Sequence, residues 1–357
     1  MTKLFKEISF EFSRNNLDLI RLFAATQVVL MHAAKHLKLD NVNFLKWLSL
    51  FPGVPIFFFI SGFLIYRSYS KSSSAGVYFS NRFLRIYPAL WVCLLITILA
   101  LFSLNYLQTD ILLNKNFWLW FFGQASFVQF YNPLFLRDFG VGVVNGSLWT
   151  IAVELQFYLL TPLIFFLNSR WRYTLIASLL LFLFLNINKD IMPFNENIMK
   201  LYSVTFIPWF GLFLWGAWFS THEDLIQKIV NMSWFSVLGI FVMVDILSFF
   251  LGLNIIGNNI NIISFIALSF LIIKIAYYKP NTAYKVLKGN DISYGVYIYH
   301  MIVVNSLIFL GFTTHSYLLG VVVLITYLCA LASWFYVEKP VLALKKNSIH
   351  SRQEEEK

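Results

Sequence analysis

Long apolar runs, separated by short polar stretches, set the pattern of this chain. A bilayer core needs about 20 apolar residues per helix. Ten runs approach that length, at 17–37, 50–68, 84–105, 147–168, 173–188, 203–219, 233–252, 258–277, 292–312 and 316–337. The stretch between the third and fourth runs is longer than the other connections. It holds residues 117–131, which are apolar but few, and are broken by Gly123, Gln124, Ser126 and Gln129. This segment reads as re-entrant or lying in the membrane interface, anchored by Trp118 and Trp120.

Composition agrees with that pattern. Of the 357 residues, 59% are hydrophobic and only 12% charged, against about 25% charged in a soluble domain. The mean hydropathy is +0.70. A water-soluble fold would expose large apolar patches at such values, so an integral membrane protein is expected. Residues 1–16 are too charged for a cleavable signal, and the first apolar run is long enough to be a permanent span. Cys93 and Cys329 both lie in apolar runs and suggest no disulfide framework or metal site.

The net charge of +10 reads as topology, not as nucleic-acid affinity. Ten crossings with the N-terminus inside place 19 Lys and Arg residues on the cytoplasmic side and 7 outside, with Arg21 inside a span. If 117–131 also crossed, the counts would be 10 inside and 16 outside, against the positive-inside rule. The sequence therefore predicts an all-α polytopic bundle of about ten transmembrane helices plus one interfacial or re-entrant segment, both termini cytoplasmic. Residues 1–344 form a single transmembrane domain, with 1–16 as a short cytoplasmic lead. Residues 345–357 read as a charged, disordered cytoplasmic tail. No internal repeat and no appended soluble domain is evident.

Ionisable groups inside spans are costly and mark function by default. The first run holds Asp18, Arg21, His32 and His36. Arg21 and His32 are eleven residues apart, three helical turns plus about 20°, so they share one stripe roughly 16 Å long. Asp18, one turn before Arg21, can pair with it. A snorkelling arginine and a packing histidine would look the same. Arg82 and Arg85 share one face where the third run begins, and their forks suit phosphate, although the positive-inside rule also expects them there. Glu154 falls at a depth similar to that of His32 and is placed to orient its imidazole, or else serves as a structural Glu. Tyr294 and His300 open the ninth run. Asp245 sits mid-span without an obvious partner, and interfacial charge alone accounts for Glu338. The histidines show no metal-ligand spacing.

In order, these motifs resemble the acyltransferase family 3 membrane proteins over about 17–340. They are Leu17-Asp18-Leu19-Ile20-Arg21 with Val28-Val29-Leu30-Met31-His32, then Gly53-Val54-Pro55 through Ser61-Gly62-Phe63, then Arg82-Phe83-Leu84-Arg85-Ile86-Tyr87-Pro88. Ser147-Leu148-Trp149 through Glu154, Ser293-Tyr294 with His300, and Glu338-Lys339-Pro340 complete the set. The resemblance implies ten core helices in the cytoplasmic (inner) membrane of a bacterium. It also implies transfer of an acyl group, usually acetyl, from cytoplasmic acetyl-CoA or another acyl-CoA to a hydroxyl of a carbohydrate such as O-antigen, capsule or a lipid-linked glycan. On that reading His32 is the general base, Glu154 and Arg21 support it, and Arg82, Arg85 and Arg21 hold the donor phosphates. Asp18, Ser61, Trp149, Tyr294 and His300 are further candidates. A proton-coupled carrier or flippase, and a membrane polysaccharide polymerase, are the competing classes.

Overall fold

A computed structural model describes residues 12, 14–39, 42–170, 172–187 and 195–344. The expected tail at 345–357 and most of 1–16 lie outside the described residues. The described residues are helical or irregular, with no strand among them. In chain order the helices are α1 (Leu17–His36), α2 (Phe44–Leu48), α3 (Gly53–Ser70), α4 (Ala75–Ser103), α5 (Lys115–Ala125), α6 (Trp149–Arg170), α7 (Arg172–Ile187) and α8 (Glu196–Ser203). There follow α9 (Phe210–Phe219), α10 (Glu223–Asn231), α11 (Trp234–Phe250), α12 (Ile262–Tyr277), α13 (Thr282–Leu287), α14 (Ser293–Phe309) and α15 (Tyr317–Ser333).

Each apolar run finds a helix, but the ends move where local chemistry overrides hydropathy. The helix of the third run, α4, begins at Ala75, well ahead of that run. Ser74 caps it by accepting the Val77 N–H, so two amphipathic turns precede the membrane-like part. The sixth run, expected from 203, becomes helical only at Phe210. Pro208 lies inside it and disfavours helix in the residue before it. Among the described residues, five helical segments are long and apolar enough to cross a bilayer: Leu17–His36, Phe44–Ser70, Ala75–Ser103, Gly146–Asn168 and Tyr317–Leu344. Joining Glu223–Asn231 to Trp234–Phe250 across a 101° bend gives a sixth. The other expected runs appear as shorter apolar helices, namely Ile176–Leu185, Phe210–Phe219, Ile262–Tyr277 and Ser293–Phe309. The 117–131 segment contains the 11-residue α5, which at about 1.5 Å per residue is far too short to cross. Trp118 is half-exposed, but Trp120 is buried against Phe117 and so packs inward, not in the interface.

The core is organised around α14, which is buried from Ser293 through Asn305 and packs against α1, α4 and α15. Cross-helix contacts give the directions. Arg21 meets Asp291 and His32 meets His300, so α1 and α14 run parallel. Ile86 and Cys93 of α4 meet Tyr294 and Ile298 in the same order. Thr26 meets Tyr327, and Leu37 accepts from Thr314, so α15 runs the other way. Asn16, just before α1, bonds to the end of α12 at Ile275 and Tyr278 and accepts from Ala283 of α13. The start of α1, the end of α12 and the start of α14 thus share one end of the bundle.

The α3–α9 pairing rests on two glycines. A Cβ at Gly62 would collide with the Phe213 carbonyl, and one at Gly216 with the Phe59 carbonyl. Close backbone approach of this kind is what small residues give helices in lipid. Gly62→Val is therefore expected to force α3 and α9 apart, costing about 1–3 kcal/mol. Thermal unfolding of the detergent-solubilised protein checks this; an unchanged midpoint would mean that the contact is dispensable.

Candidate functional site

At the end of the bundle where α1 and α14 begin, charges gather. The Asp291 carboxylate accepts from Arg21 at 2.7 Å and from Arg85 at 2.5 Å, both on Oδ2. Its Oδ1 accepts from the Ser293 hydroxyl and N–H at 2.5 and 3.2 Å. Arg85 reaches Glu338 at 3.1 Å with its other terminal nitrogen, and Ser333 donates to that carboxylate at 3.2 Å. Asp18 takes the expected i,i+3 place beside Arg21, but at 3.8 Å and half-exposed it is the looser partner. Asp291 lies in the turn before α14, outside the spans. Burial alone would raise its carboxyl, but Arg21 and Arg85, aided by Ser293, hold it well below the usual carboxylate range.

Two members of this cluster were missed in the sequence. Asp291 stood in a polar turn, where an acidic residue ahead of a helix passes for a cap. Glu338 was put down to interfacial charge. It is instead 2% exposed and carried on a π-helical turn, Trp334–Glu338, in which Lys339 N–H bonds back to the Trp334 carbonyl. Such turns rotate the side chains that follow and recur at functional sites.

Arg82 behaves differently from Arg85. Its Nη2 donates to Ser68 at 3.2 Å and its guanidinium lies 5.8 Å from the Tyr158 ring. Its Nε is buried without a hydrogen-bond partner. Beyond the charge cluster a cavity of about 40 Å³ opens inside the bundle, lined by Arg21, Ser61, Thr150, Glu154, Tyr294 and Tyr297 with apolar side chains around them. That is room for a few water molecules. Four of the sequence candidates therefore share one space. Glu154 accepts there from Tyr158 at 2.5 Å and from Ser61 at 3.4 Å. Tyr297 donates to the Ser147 carbonyl and receives from Thr150. Trp149 packs on Trp209 and Phe58 at the cavity's apolar side.

One turn beyond Tyr297 stands an imidazole pair. His32 Nδ1 lies 2.9 Å from His300 Nε2, and His300 Nδ1 lies 2.6 Å from the Tyr297 carbonyl. His300 is fully buried; His32 is half-buried, with His36 beside it at 5.6 Å between ring centres. The expected partner of His32 was Glu154. The structure gives His32 the His300 ring, because α1 packs chiefly on α14, α3 and α15, while Glu154 on α6 is taken by Tyr158 and Ser61. Among the described residues, no group of three or more His, Cys, Asp or Glu side chains is placed to hold a metal.

A helix bundle that buries arginines, carboxylates and imidazoles along one interior line is a membrane protein with a reaction or passage site inside it. Comparison with known proteins decides between these: the acyltransferase 3 model, described as an acyltransferase domain, matches residues 14–336. The chain belongs to that family and is an O-acyltransferase enzyme. It is 33% identical to nodulation protein 10 of Rhizobium leguminosarum bv. viciae, covering 95% of this chain and 96% of the relative. It is 30% identical to an O-acetyl transferase of Shigella phage Sf6, over 92% and 96%. A third relative, the peptidoglycan O-acetyltransferase OatA of Listeria monocytogenes, is 27% identical over 44% of this chain and 25% of its own length. No solved structure matches the chain.

Removing the shared anion tests the charge cluster. Asp291→Asn leaves two buried guanidinium groups without their common partner and is expected to cost about 3–5 kcal/mol. Because the native pKa is lowered, the carboxylate's contribution is fully present above the unfolded value of about 4 and is lost as pH falls toward the native one. The variant's thermal deficit should therefore be constant from neutral pH down to about 5, and should begin to close only below about 4. A deficit that changed between pH 7 and 5 would show that another group dominates.

Proposed function

We propose that the protein transfers an acyl group, acetyl in the first instance, from acyl-CoA on the cytoplasmic side to a hydroxyl of a cell-envelope carbohydrate, with His32 as general base. What carries this reading is the continuity of the interior line. The charge cluster, the cavity between Arg21 and Glu154, and the imidazole pair follow one another along α1 and α14. An anionic donor entering at the arginines would point its thioester toward the imidazoles. The names of two relatives, an O-acetyl transferase and a peptidoglycan O-acetyltransferase, support acetyl as the group and a carbohydrate as the acceptor class.

Ten crossings in a bacterial inner membrane, with both termini cytoplasmic, fit this reading. Parallel α1 and α14 require an even number of reversals between them, which the ten-crossing count supplies and a crossing at 117–131 would spoil. The donor phosphates fall to Arg82 first, since its Nε has no partner and a guanidinium fork suits phosphate. Arg85 and Arg21 are already engaged by carboxylates, so they act as a charged floor beneath the donor. Neutral imidazole suits proton abstraction near pH 7. Glu154, held by Tyr158 and Ser61, balances the cavity charge from the α6 side.

The test uses membranes containing the full chain, radiolabelled acetyl-CoA and a purified envelope glycan. Label is expected in the glycan. His32→Ala should abolish incorporation while the protein stays folded, and Arg82→Ala should raise KM for acetyl-CoA about tenfold, the loss of roughly one charged hydrogen bond. Incorporation that survives His32→Ala at full rate would reject the base, and an unchanged donor KM in Arg82→Ala would reject the phosphate role.

A further inference from the structure

We infer that His300 is the positioning residue of this site, and that it works by fixing which nitrogen of His32 carries the proton. This rests on the reading of His32 as base; its experiment separates the two.

The derivation needs only hydrogen-bond bookkeeping. A backbone carbonyl can accept but never donate. The Tyr297 carbonyl lies 2.6 Å from His300 Nδ1, so Nδ1 of His300 carries the hydrogen. Neutral imidazole has one N–H, which leaves Nε2 of His300 as a lone pair. That lone pair faces Nδ1 of His32 at 2.9 Å, so Nδ1 of His32 must donate. The free lone pair of His32 is then on Nε2. A carbonyl fixed in the helix thus dictates, through two rings, the atom that can take a proton from a substrate hydroxyl.

The environment explains why an imidazole and not a carboxylate does this. Among the described residues, the ionisable groups close to the pair are Lys35 and His36 on α1 and Tyr297 on α14. Glu154 is committed to Tyr158 and Ser61. Ionised carboxylates buried here would need their own cations, whereas two neutral rings satisfy each other without charge. In the reaction, the acceptor oxygen forms a bond to the thioester carbonyl carbon as its proton passes to Nε2 of His32. The C–S bond then breaks, and the thiolate of CoA takes that proton back, leaving an ester and CoA thiol. While His32 is cationic, its Nδ1–H donates more strongly to His300 Nε2, as charge-assisted bonds do. With no carboxylate beside it among the described residues to hold the proton, the imidazolium readily gives it up to the thiolate.

The test combines a spectrum with kinetics on the full chain in membranes. Nitrogen-15 NMR of histidine-labelled protein should show His32 protonated on Nδ1 in the wild type. His300→Phe should release it to a mixture or to Nε2–H, and should lower kcat about 10²- to 10⁴-fold, the usual range for losing acid–base function, with KM for acetyl-CoA unchanged. His300→Gln, whose amide oxygen can accept from Nδ1, should restore much of the Nδ1–H signal and of kcat. Wild-type His32 protonated on Nε2, or His300→Phe with undiminished kcat, would overturn the inference. The tautomer spectrum does not depend on turnover, so it stands or falls apart from the His32→Ala result.

Discussion

The carboxylate of Asp291, shared by two guanidinium groups, is the interaction on which the interior of this protein depends. Three helices meet at it: α1 brings Arg21, α4 brings Arg85, and Asp291 itself stands at the entrance to α14. The π-turn after α15 adds Glu338 to the other arm of Arg85. In a low-dielectric interior each of these charges would be prohibitive alone. Together they can be satisfied only when four chain segments stand at the right height and rotation. The cluster therefore fixes register where apolar packing in lipid cannot, because lipid-facing and helix-facing surfaces are nearly equal in cost there.

That register has a consequence eleven residues further along α1. With Arg21 held against the start of α14, the same stripe carries His32 to His300. The stripe itself was legible from spacing alone, since α1 is one uninterrupted helix. The neighbour it faces was not. Hydropathy and helical period report depth in the bilayer and rotation about a helix axis, but nothing about which helix lies beside which. Glu154 illustrates this. Its depth matched that of His32, as read from the sequence, yet it sits on α6 and faces α3. The same gap hid Asp291 and Glu338, whose significance lies wholly in their partners. Helix ends departed from the apolar runs where a cap or a proline set them, as at Ser74 and Pro208, because hydropathy does not see a backbone cap.

The directions of the helices tie fold to chemistry. Because α1, α4 and α14 run parallel, their beginnings assemble one charged end, while the middle of α14 supplies Tyr297 and His300 to the interior above it. The connection between α5 and α6 is fastened to this same helix. Asn305 accepts from Val141 and donates to the carbonyls of Val143 and Val144, and Asn145 donates to the Ile298 carbonyl. So α14 is held at its start by an ion cluster and further along by amides, with the imidazole contact between them. Movement of either fastening would alter the ring geometry that a proton transfer needs.

The two ends solve the same physical problem in opposite ways. At the charged end, ions are kept because they are mutually compensated, and removing one of them would leave its partner buried and unpaired. At the imidazole end, charge is avoided until it is needed. Two neutral rings cost little to bury, and among the described residues the charged neighbours of His32 are Lys35 and His36, not a carboxylate. A carboxylate beside His32 would make the ring more basic and slower to give up a proton. Asp291 and Glu338 thus stand with the arginines, apart from the imidazole pair, so that each end keeps the charge state its own partners can support.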